Sequence, residues 1–252
     1  MTVTFLGTGT SHGIPVAGCA CPVCLSPDSR NKRTRASLLV EEAGRLILID
    51  TATELRLQAI REGIKTIDAV LYTHAHADHV HGIDDLRIFC YRGPIPVYGS
   101  PGILREIKHR FDYIFRPPRQ QGGGIPRLRM YPAARPVFTA CGVPVTPIPI
   151  KHGSLTIYGY RIGDMAYLTD CSHIPDASRP LLENLRVLIL GALRSRPHPT
   201  HFCIEEALAE IRRIGPRQAY LTHFCHDIDH ETIKKELPPG TAPSYDGLKV
   251  SL

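Results

Sequence analysis

Three imidazoles and one carboxylate lie within six consecutive positions of this chain, at His74, His76, Asp78 and His79. The run 68–73 leading into them is apolar and β-prone, so the sequence predicts that they begin where a buried strand ends. Imidazole and carboxylate together suit Zn²⁺, Mn²⁺ or Fe²⁺. Because four such side chains this close together cannot all bind one ion comfortably, the spacing predicts two neighbouring metals.

Further ligand-type residues follow other predicted strands, namely Asp50, His152, Asp170 and His223. Three ligand positions in the chain are preceded by similar strand ends, reading Leu-Tyr-Thr-His, Tyr-Leu-Thr-Asp and Tyr-Leu-Thr-His. Because open sheets place their sites at the ends of strands, we expect these side chains to converge on the first group. Together they would complete the ligands that a dinuclear centre requires.

Three of the eight cysteines are clustered, at Cys19, Cys21 and Cys24. Thiolates with this spacing can surround one tetrahedral ion, most often zinc, and we choose His226 as the fourth ligand. A redox or structural thiol cluster is the alternative. The other five cysteines are scattered, and we expect them to be small buried apolar side chains.

The length of 252 residues is sufficient for one large domain with a sizeable core. No apolar run reaches the ~20 residues of a membrane span, and residues 1–7 lack the features of a secretory signal. We therefore expect a cytoplasmic protein, in which the eight cysteines do not indicate a disulfide framework. The formal charge of +6 suits an anionic substrate but is also ordinary for a soluble protein.

The chain alternates between predicted strands and helices, and it contains no internal repeat. Strands are predicted at residues 3–6, 36–41, 45–49, 69–72, 97–98, 143–150, 157–162, 166–168, 187–190 and 219–221. Helices are predicted at residues 54–62, 101–111 and 204–214, and the first of these would end at Gly63. Residues 116–136 are rich in Pro, Gly and Arg, which predicts a basic, mobile flap or insertion.

The order of these motifs resembles the metallo-β-lactamase superfamily of metallohydrolases, with His74-x-His76-x-Asp78-His79 followed by His152, Asp170 and His223. The opening Gly7-Thr-Gly-Thr-Ser-His-Gly13-Ile-Pro15, which leads into the cysteine loop at 19–24, is more specific. It is similar to the phosphodiesterase group that includes the phosphoribosyl 1,2-cyclic phosphate phosphodiesterase of phosphonate breakdown. The likeness extends from Thr4 to Asp246-Gly247.

The resemblance implies an α/β fold, a four-layer αβ/βα sandwich of two mixed sheets flanked by helices, formed by residues 1–252 as a single domain. It implies a pair of catalytic divalent ions, Zn or Mn. One ion would be held by His74, His76 and His152. The other would be held by Asp78, His79 and His223, and Asp170 would bridge the two.

The resemblance also assigns the residues around this centre. The group Cys19, Cys21, Cys24 and His226 would bind a separate structural zinc that holds the loop carrying His223. Asp50 would form a hydrogen bond to a ligand histidine, with a turn cap as its alternative role. A homodimer is suggested by the resemblance alone.

The ligands predict hydrolysis at phosphorus. Two metals about 3.5–4 Å apart can share a bridging hydroxide and stabilise negative charge in the transition state. We assign Asp78 and His201 to catalysis, the latter as general acid, because a histidine here resembles the acid of the phosphodiesterase group. His198 is the competing acid, and a water molecule or no acid at all is the third option.

Basic residues that could contact a substrate phosphate are plentiful, although a solvated surface role is expected for most of them. They are Arg30, Lys32, Arg33, Arg35, Arg116, Arg119, Arg127, Arg129, Arg194 and Arg196.

The leading hypothesis is a phosphodiesterase that hydrolyses a small cyclic phosphodiester, either phosphoribosyl 1,2-cyclic phosphate or a cyclic nucleotide. One alternative is an RNA-processing nuclease like ribonuclease Z, although nucleic acid is the less favoured partner because the flap has few aromatic side chains for stacking. Another is a non-hydrolytic accessory protein like the B protein of pyrroloquinoline quinone synthesis. Thiol-ester or lactam hydrolysis is less favoured still, and the fold alone cannot decide among these.

Overall fold

The structure is a computed structural model that describes residues 1–116 and 124–252. The strands in these residues are β1 (Thr2–Gly7), β2 (Ser37–Glu42), β3 (Arg45–Ile49), β4 (Ala69–Leu71), β5 (Ile95–Gly99), β6 (Leu128–Pro132), β7 (Phe138–Ala140), β8 (Val143–His152), β9 (Leu155–Ile162), β10 (Met165–Leu168), β11 (Val187–Gly191), β12 (Gln218–Thr222), β13 (Thr241–Pro243) and β14 (Lys249–Ser251). They form two seven-stranded sheets. One has the order β14-β1-β2-β3-β4-β5-β6 and the other β13-β12-β11-β10-β9-β8-β7.

Each sheet contains a block of parallel strands and a block of antiparallel ones. Strands β3 to β6 are parallel in the first sheet, and β10 to β13 are parallel in the second. The carboxyl ends of parallel strands lie at one edge of a sheet, which is where open α/β sheets carry their sites. This arrangement brings loops that are distant in the sequence to one end of the molecule.

The two sheets pack face to face, and the period-two alternation of the strands separates three apolar layers. Along β3, Ile47 and Ile49 lie in the core between the sheets, whereas Leu48 lies in the core beneath the helices of the first sheet. Along β11, Ile189 lies between the sheets and Leu188 contacts the helices of the second. The predicted four-layer sandwich is therefore confirmed.

The described residues form seven α-helices. They are α1 (Pro22–Leu25), α2 (Leu55–Glu62), α3 (Ala77–Val80), α4 (Pro101–Arg110), α5 (Asp112–Phe115), α6 (Ile204–Ile214) and α7 (His230–Glu236). Helix α2 ends as predicted, because Gly63 adopts a left-handed conformation with φ of 65° and its N–H closes the last turn. Helices α2 and α4 pack on the first sheet, and α6 and α7 pack on the second.

Several short elements were not predicted from the sequence, and two differences lie in the first sheet and beside the metal motif. Residues 81–92 form a 3-10 helix that follows the metal motif directly, although no element was predicted there. Part of the predicted flap is regular structure, because β6 lies within 116–136 and pairs in parallel with β5 as the edge strand of the first sheet. Residues 117–123, which include Arg119, lie outside the described part of the chain.

Within residues 1–116 and 124–252, every helix is too short or too polar to cross a membrane.

Candidate metal centre

The predicted ligands converge at the carboxyl ends of strands from both sheets. One group of possible ligand atoms joins His74, His76, His152 and Asp170, and a second joins Asp78, His79 and His223. Within each group the ligand atoms lie within 4.8 Å of one another. Residues that are up to 149 positions apart in the sequence therefore meet at one end of the sandwich, as the strand-end pattern predicts.

Three side chains at the centre belong to residues with an unusual backbone conformation. Asp50, Asp170 and His223 have φ values of 62°, 52° and 64°, in the left-handed region that few residues other than glycine adopt. Each lies just after a strand, where this conformation turns the chain sharply and directs the side chain across the strand ends. Such backbone costs on the order of 1 kcal/mol per residue, and it clusters at functional sites.

Asp170 lies between the two groups. Its Oδ1 atom is 3.2 Å from Nε2 of His79 and 3.2 Å from Nε2 of His223, and its Oδ2 atom is 3.9 Å from Nε2 of His74. Asp78 faces the same cluster, with Oδ2 at 3.4 Å from Nε2 of His79. One carboxylate that points its two oxygens at different groups of imidazoles has the geometry required to bridge two ions.

Unsatisfied polar atoms show that this donor set fits metal ions. Among the described residues, Nε2 of His74, Nε2 of His79 and both ring nitrogens of His223 are buried without a hydrogen-bond partner. A buried polar atom without a partner costs free energy that the folded protein must offset elsewhere. Three Nε2 atoms directed at shared carboxylates are accounted for if they bind divalent cations, and imidazole with carboxylate suits zinc or manganese.

Opposite charges in the cluster stabilise the ionised forms of His79 and Asp170. Burial lowers the pKa of His79, but the charges of Asp170, Asp78 and Asp50 outweigh burial and raise this pKa well above its usual value. Burial raises the pKa of Asp170, but His223 and His79 outweigh it and hold this pKa well below the usual range. The site therefore attracts positive charge, and metal ions can replace the protons held there.

Asp50 forms the supporting contact that the sequence analysis assigned to it. Its Oδ2 atom is 2.7 Å from Nδ1 of His79 and accepts a hydrogen bond from the hydroxyl of Thr73 at 2.7 Å. Its Oδ1 atom accepts the Thr73 backbone N–H at 2.8 Å. One carboxylate thus fixes both a ligand ring and the start of the ligand loop, which is how outer partners orient metal ligands.

The loop that carries Thr200 and His201 contacts the ring of His152. Nδ1 of His152 lies 2.7 Å from the carbonyl oxygen of Thr200, so this ring donates there and directs its other nitrogen at the centre. The adjacent His201 stacks on His223, with ring centroids 5.1 Å apart, and its Nδ1 atom is 3.8 Å from Oδ2 of Asp170. His198 lies farther out, with its ring centroid 5.1 Å from that of His201.

The position of His201 allows two roles. Burial is the main cause that lowers its pKa to about 3, and the neighbouring His223 lowers it further. His201 also groups with Asp170 and His223 as a possible set of ligands. An acid role therefore depends on a bound anion that raises this pKa, and the assignment stays a prediction.

The cysteine loop forms a separate site. The Sγ atoms of Cys19, Cys21 and Cys24 lie 3.3, 3.5 and 3.6 Å from Nδ1 of His226. Zinc bonds of about 2.3 Å to sulfur and about 2.0 Å to nitrogen place tetrahedral ligands roughly 3.5 Å apart, so the four atoms fit one zinc ion. The N–H of Cys24 donates to the sulfur of Cys21 and is the main cause that lowers the pKa of this thiol to about 6.

The contacts of the neighbouring Cys225 also support His226 as the fourth ligand. The sulfur of Cys225 accepts the N–H of Asp227 at 3.5 Å and does not join the zinc group. Burial raises the pKa of the Cys225 thiol, which disfavours a thiolate. Cys90, Cys171 and Cys203 are buried as expected, whereas Cys141 and Cys225 are only partly buried.

Most of the candidate phosphate-binding cations have partners within the protein. Each is engaged as follows: Arg30 with Asp28 and Glu231, Lys32 with the carbonyl of Cys24, Arg35 with Glu54, Arg116 with Asp112, Arg127 with the carbonyl of Cys90, Arg194 with the carbonyls of Arg196 and Pro197, and Arg196 with Asp227. Arg33 is buried, so it is not one of the solvated cations. Arg129 is exposed.

Fold and ligand geometry together define a class of proteins. Residues 45–224 match the family model described as a beta-lactamase superfamily domain, and the chain belongs to the metallo-β-lactamase superfamily. Within that class, the chain is similar to a crystal structure described as a new diphosphatase from the PhnP family. The identity is 41%, with 100% of this chain and 97% of that one covered and a TM-score of 0.93.

Two other relatives are similar in different ways. A Porphyromonas gingivalis protein named octanoyltransferase is 41% identical over 99% of this chain, but this chain spans only 51% of that protein. The structure of Zn²⁺-bound PqqB from Methylobacterium extorquens has a TM-score of 0.78 at 20% identity, with 100% of each chain covered. At this identity, the second likeness supports the shared fold and nothing more specific.

Proposed function

We propose that this metallohydrolase cleaves a small cyclic phosphodiester, either phosphoribosyl 1,2-cyclic phosphate or a cyclic nucleotide. The observation that carries the proposal is the convergence of two ligand groups on Asp170, with His201 beside the same carboxylate. A dinuclear centre with an adjacent imidazole matches what hydrolysis of a phosphodiester requires.

The ligand residues divide the work between them. His74, His76 and His152 would hold one ion and Asp78, His79 and His223 the other, with Asp170 shared. Two zinc or manganese ions there would supply Lewis-acid activation of water and charge stabilisation at phosphorus. Asp50 and the carbonyl of Thr200 keep His79 and His152 in the orientation that this task needs.

His201 is proposed to protonate the leaving oxygen. The ring is mostly buried, and one face stacks on His223. In this environment burial favours the neutral ring, so the negative charge of a bound phosphate would be needed to raise the pKa of His201 toward neutrality. Substrate binding would then create the acid at the point where the leaving oxygen needs its proton.

A second candidate substrate is a diphosphate, and the similarity to the PhnP-family diphosphatase favours it. The attack at phosphorus would be the same, but the leaving group would be a phosphate rather than an alkoxide. A phosphate leaving group needs protonation less, so the contribution of His201 would be smaller.

An RNA-processing nuclease and a non-hydrolytic accessory protein are the weaker alternatives. Most described cations of the proposed phosphate-binding set are engaged with carboxylates or carbonyls, which leaves few of them free to follow an RNA backbone. The complete ligand set argues against an accessory role, because a protein without turnover has no need for seven converging ligands.

The test is ³¹P NMR of the protein loaded with Mn²⁺ or Zn²⁺, with three substrates supplied separately. These are phosphoribosyl 1,2-cyclic phosphate, a 2′,3′-cyclic nucleotide and a nucleoside diphosphate sugar. Opening of either cyclic compound supports the proposal, and the compound that is opened faster is the preferred substrate. Cleavage of the diphosphate alone supports the second candidate.

If the metal-loaded protein cleaves none of the three compounds, both the cyclic phosphodiester proposal and the diphosphate proposal are wrong. An octanoyl thioester and a precursor transfer RNA serve as the additional substrates in that case. Turnover of the RNA with a steep salt dependence would favour the nuclease alternative.

A further inference from the structure

Arg33 is the largest buried side chain outside the metal centre that carries a charge, and the proposed reaction does not use it. It is 1% exposed. Burial is the main cause that lowers its pKa to about 10, so the guanidinium remains charged at neutral pH. A buried charge is retained only where hydrogen bonds and neighbours offset its desolvation. Its contacts therefore indicate what it holds.

The guanidinium connects three separate parts of the chain. It donates to the hydroxyl of Thr8 at 2.9 Å and to the carbonyl of Ser244 at 2.7 Å, and it lies 3.2 Å from Nδ1 of His230. The hydroxyl of Thr8 donates in turn to Asp246 at 2.8 Å, which places a carboxylate one bond beyond the guanidinium. Arg33 thus joins the residue after β1 to the first residue of α7 and to the residue after β13.

The planar face of the same guanidinium covers Phe224, with its central carbon 4.7 Å from the ring centroid. Phe224 is fully buried, and its backbone pairs with the loop after β1. Its N–H donates to the carbonyl of Thr8 at 3.0 Å, and its carbonyl accepts the N–H of Thr10 at 3.0 Å. Both the side chain and the backbone of Phe224 are therefore fixed by Arg33 and by the residue that Arg33 binds.

Phe224 occupies a particular position in the chain. The residue before it is the catalytic ligand His223, which has a left-handed backbone, and the zinc ligand His226 follows two residues later. A shift in the backbone of Phe224 would therefore be transmitted to the ligand on either side of it. The backbone of the segment is also tied by the N–H of Cys225 to the carbonyl of Leu193 at 2.9 Å.

The opening glycines allow Arg33 to reach this position. A Cβ atom at Gly9 would lie 2.9 Å from the carbonyl oxygen of Arg33 and 3.1 Å from its Cβ atom. The backbone of Arg33 also pairs with Ile14, in both directions at 2.8 Å. The glycine-rich opening therefore packs directly against the backbone of Arg33, the residue that contacts Phe224.

We infer that Arg33 is a positioning residue that holds segment 223–226 through Phe224, and so couples the second catalytic ion to the structural zinc. The inference rests on the metal sites of the proposed function but not on the identity of the substrate. It makes a selective expectation. Two of the three proposed ions would draw a ligand from this segment, whereas the ion on His74, His76 and His152 would not.

The test is Arg33→Met, which keeps an unbranched apolar stem over Phe224 and removes the donors. Metal content is measured after equilibrium dialysis against graded chelator, together with backbone hydrogen exchange of residues 222–226. The expected result is a loss of affinity of about 10–100-fold for the structural zinc and the second catalytic ion. Affinity at the third site is unchanged, and exchange in the segment is faster.

Arg33→Lys keeps the charge but cannot reach Thr8, Ser244 and the face of Phe224 together, so partial recovery is expected. Arg161→Met is the matched control, because Arg161 also donates to backbone carbonyls, those of Gly163, Leu181 and Glu183. This control should lose no metal.

Two results would overturn the inference. One is loss of all three ions in parallel in Arg33→Met, which a global loss of stability would produce. The other is a folded Arg33→Met protein that keeps full affinity at all three sites. Because metal content and exchange are read directly, failure of the proposed phosphodiesterase activity would leave the outcome of this test unaffected.

Discussion

At the scale of single residues, the ligand types of the centre can be predicted from the sequence, but the backbone conformation of those residues cannot. The spacing of His74, His76, Asp78 and His79 indicates metal binding without any structural knowledge. The left-handed conformation of Asp170 has no signal of its own in the sequence, because its φ value follows from the turn that the sheet imposes.

His201 provides the prediction at this scale. His201→Ala should slow hydrolysis of a phosphodiester with a poor alkoxide leaving group by about 10²–10⁴-fold. A nitrophenyl phosphodiester should be slowed far less, because nitrophenolate leaves without a proton. The measurement is kcat on matched substrates of the two kinds at constant metal loading.

The control for this prediction is His198→Ala. His198 lies on the same loop, and its Nδ1 atom accepts the N–H of Thr200 at 3.3 Å. It should affect both substrates to a similar, small extent. If His201→Ala slowed both substrates equally, the residue would have no acid role, and a role in holding metal would become the better explanation.

At the scale of elements, long strands and helices with clear periodicity could be predicted, and short edge elements could not. Helix α6 occupies the predicted residues 204–214, because its apolar positions repeat with helical spacing and Gly215 ends it in a left-handed conformation. Strands β13 and β14 have three residues each, which is too short for a pattern to appear. Strand β6 was predicted as a flap because Pro, Gly and Arg around it obscure its five residues.

The last residue of β1, Gly7, gives the prediction for this scale. A Cβ atom at Gly7 would overlap the carbonyl of Arg35, and backbone cannot move aside cheaply. Gly7→Ala should therefore destabilise the protein by about 3 kcal/mol, which lowers Tm by roughly 6–12 °C for a chain of this size. Thermal unfolding of the metal-loaded protein measures the change.

Gly102→Ala is the matched control, because Gly102 lies in the first turn of α4 and the nearest atom to its added Cβ is 3.8 Å away. This variant should unfold at or above the wild-type temperature, since alanine favours the helix. Equal Tm values for Gly7→Ala and the wild type would mean that the end of β1 is less closely packed than the structure shows.

At the scale of the whole molecule, burial of neutral histidine makes stability depend on pH. Burial, with help from Arg33, lowers the pKa of His230 to about 4, whereas an unfolded histidine has a pKa of about 6.5. As pH falls from about 6.5 to about 4, the unfolded chain binds a proton that the folded chain does not. The free energy of unfolding should therefore decrease over this interval.

His230→Gln removes the imidazole that binds this proton, so the variant tests the prediction. Urea unfolding of both proteins at about pH 7.5 and about pH 5 should show a smaller decrease for the variant. Loss of metal at low pH affects both proteins and cancels in the comparison. Identical decreases in the two proteins would show that His230 makes no contribution to the acid sensitivity of the molecule.

The left-handed backbone at Asp50 and Asp170 has a consequence for how such a chain can diverge. Asparagine is among the few other residues that adopt this conformation readily, and it has nearly the same shape as aspartate. A single substitution of Asp170 by asparagine can therefore remove the negative charge between the two ligand groups while keeping the turn and the sheets around it. At this one position the requirement for a charge and the requirement for the backbone turn can be separated. A descendant of this chain could therefore lose metal-dependent activity and keep the fold.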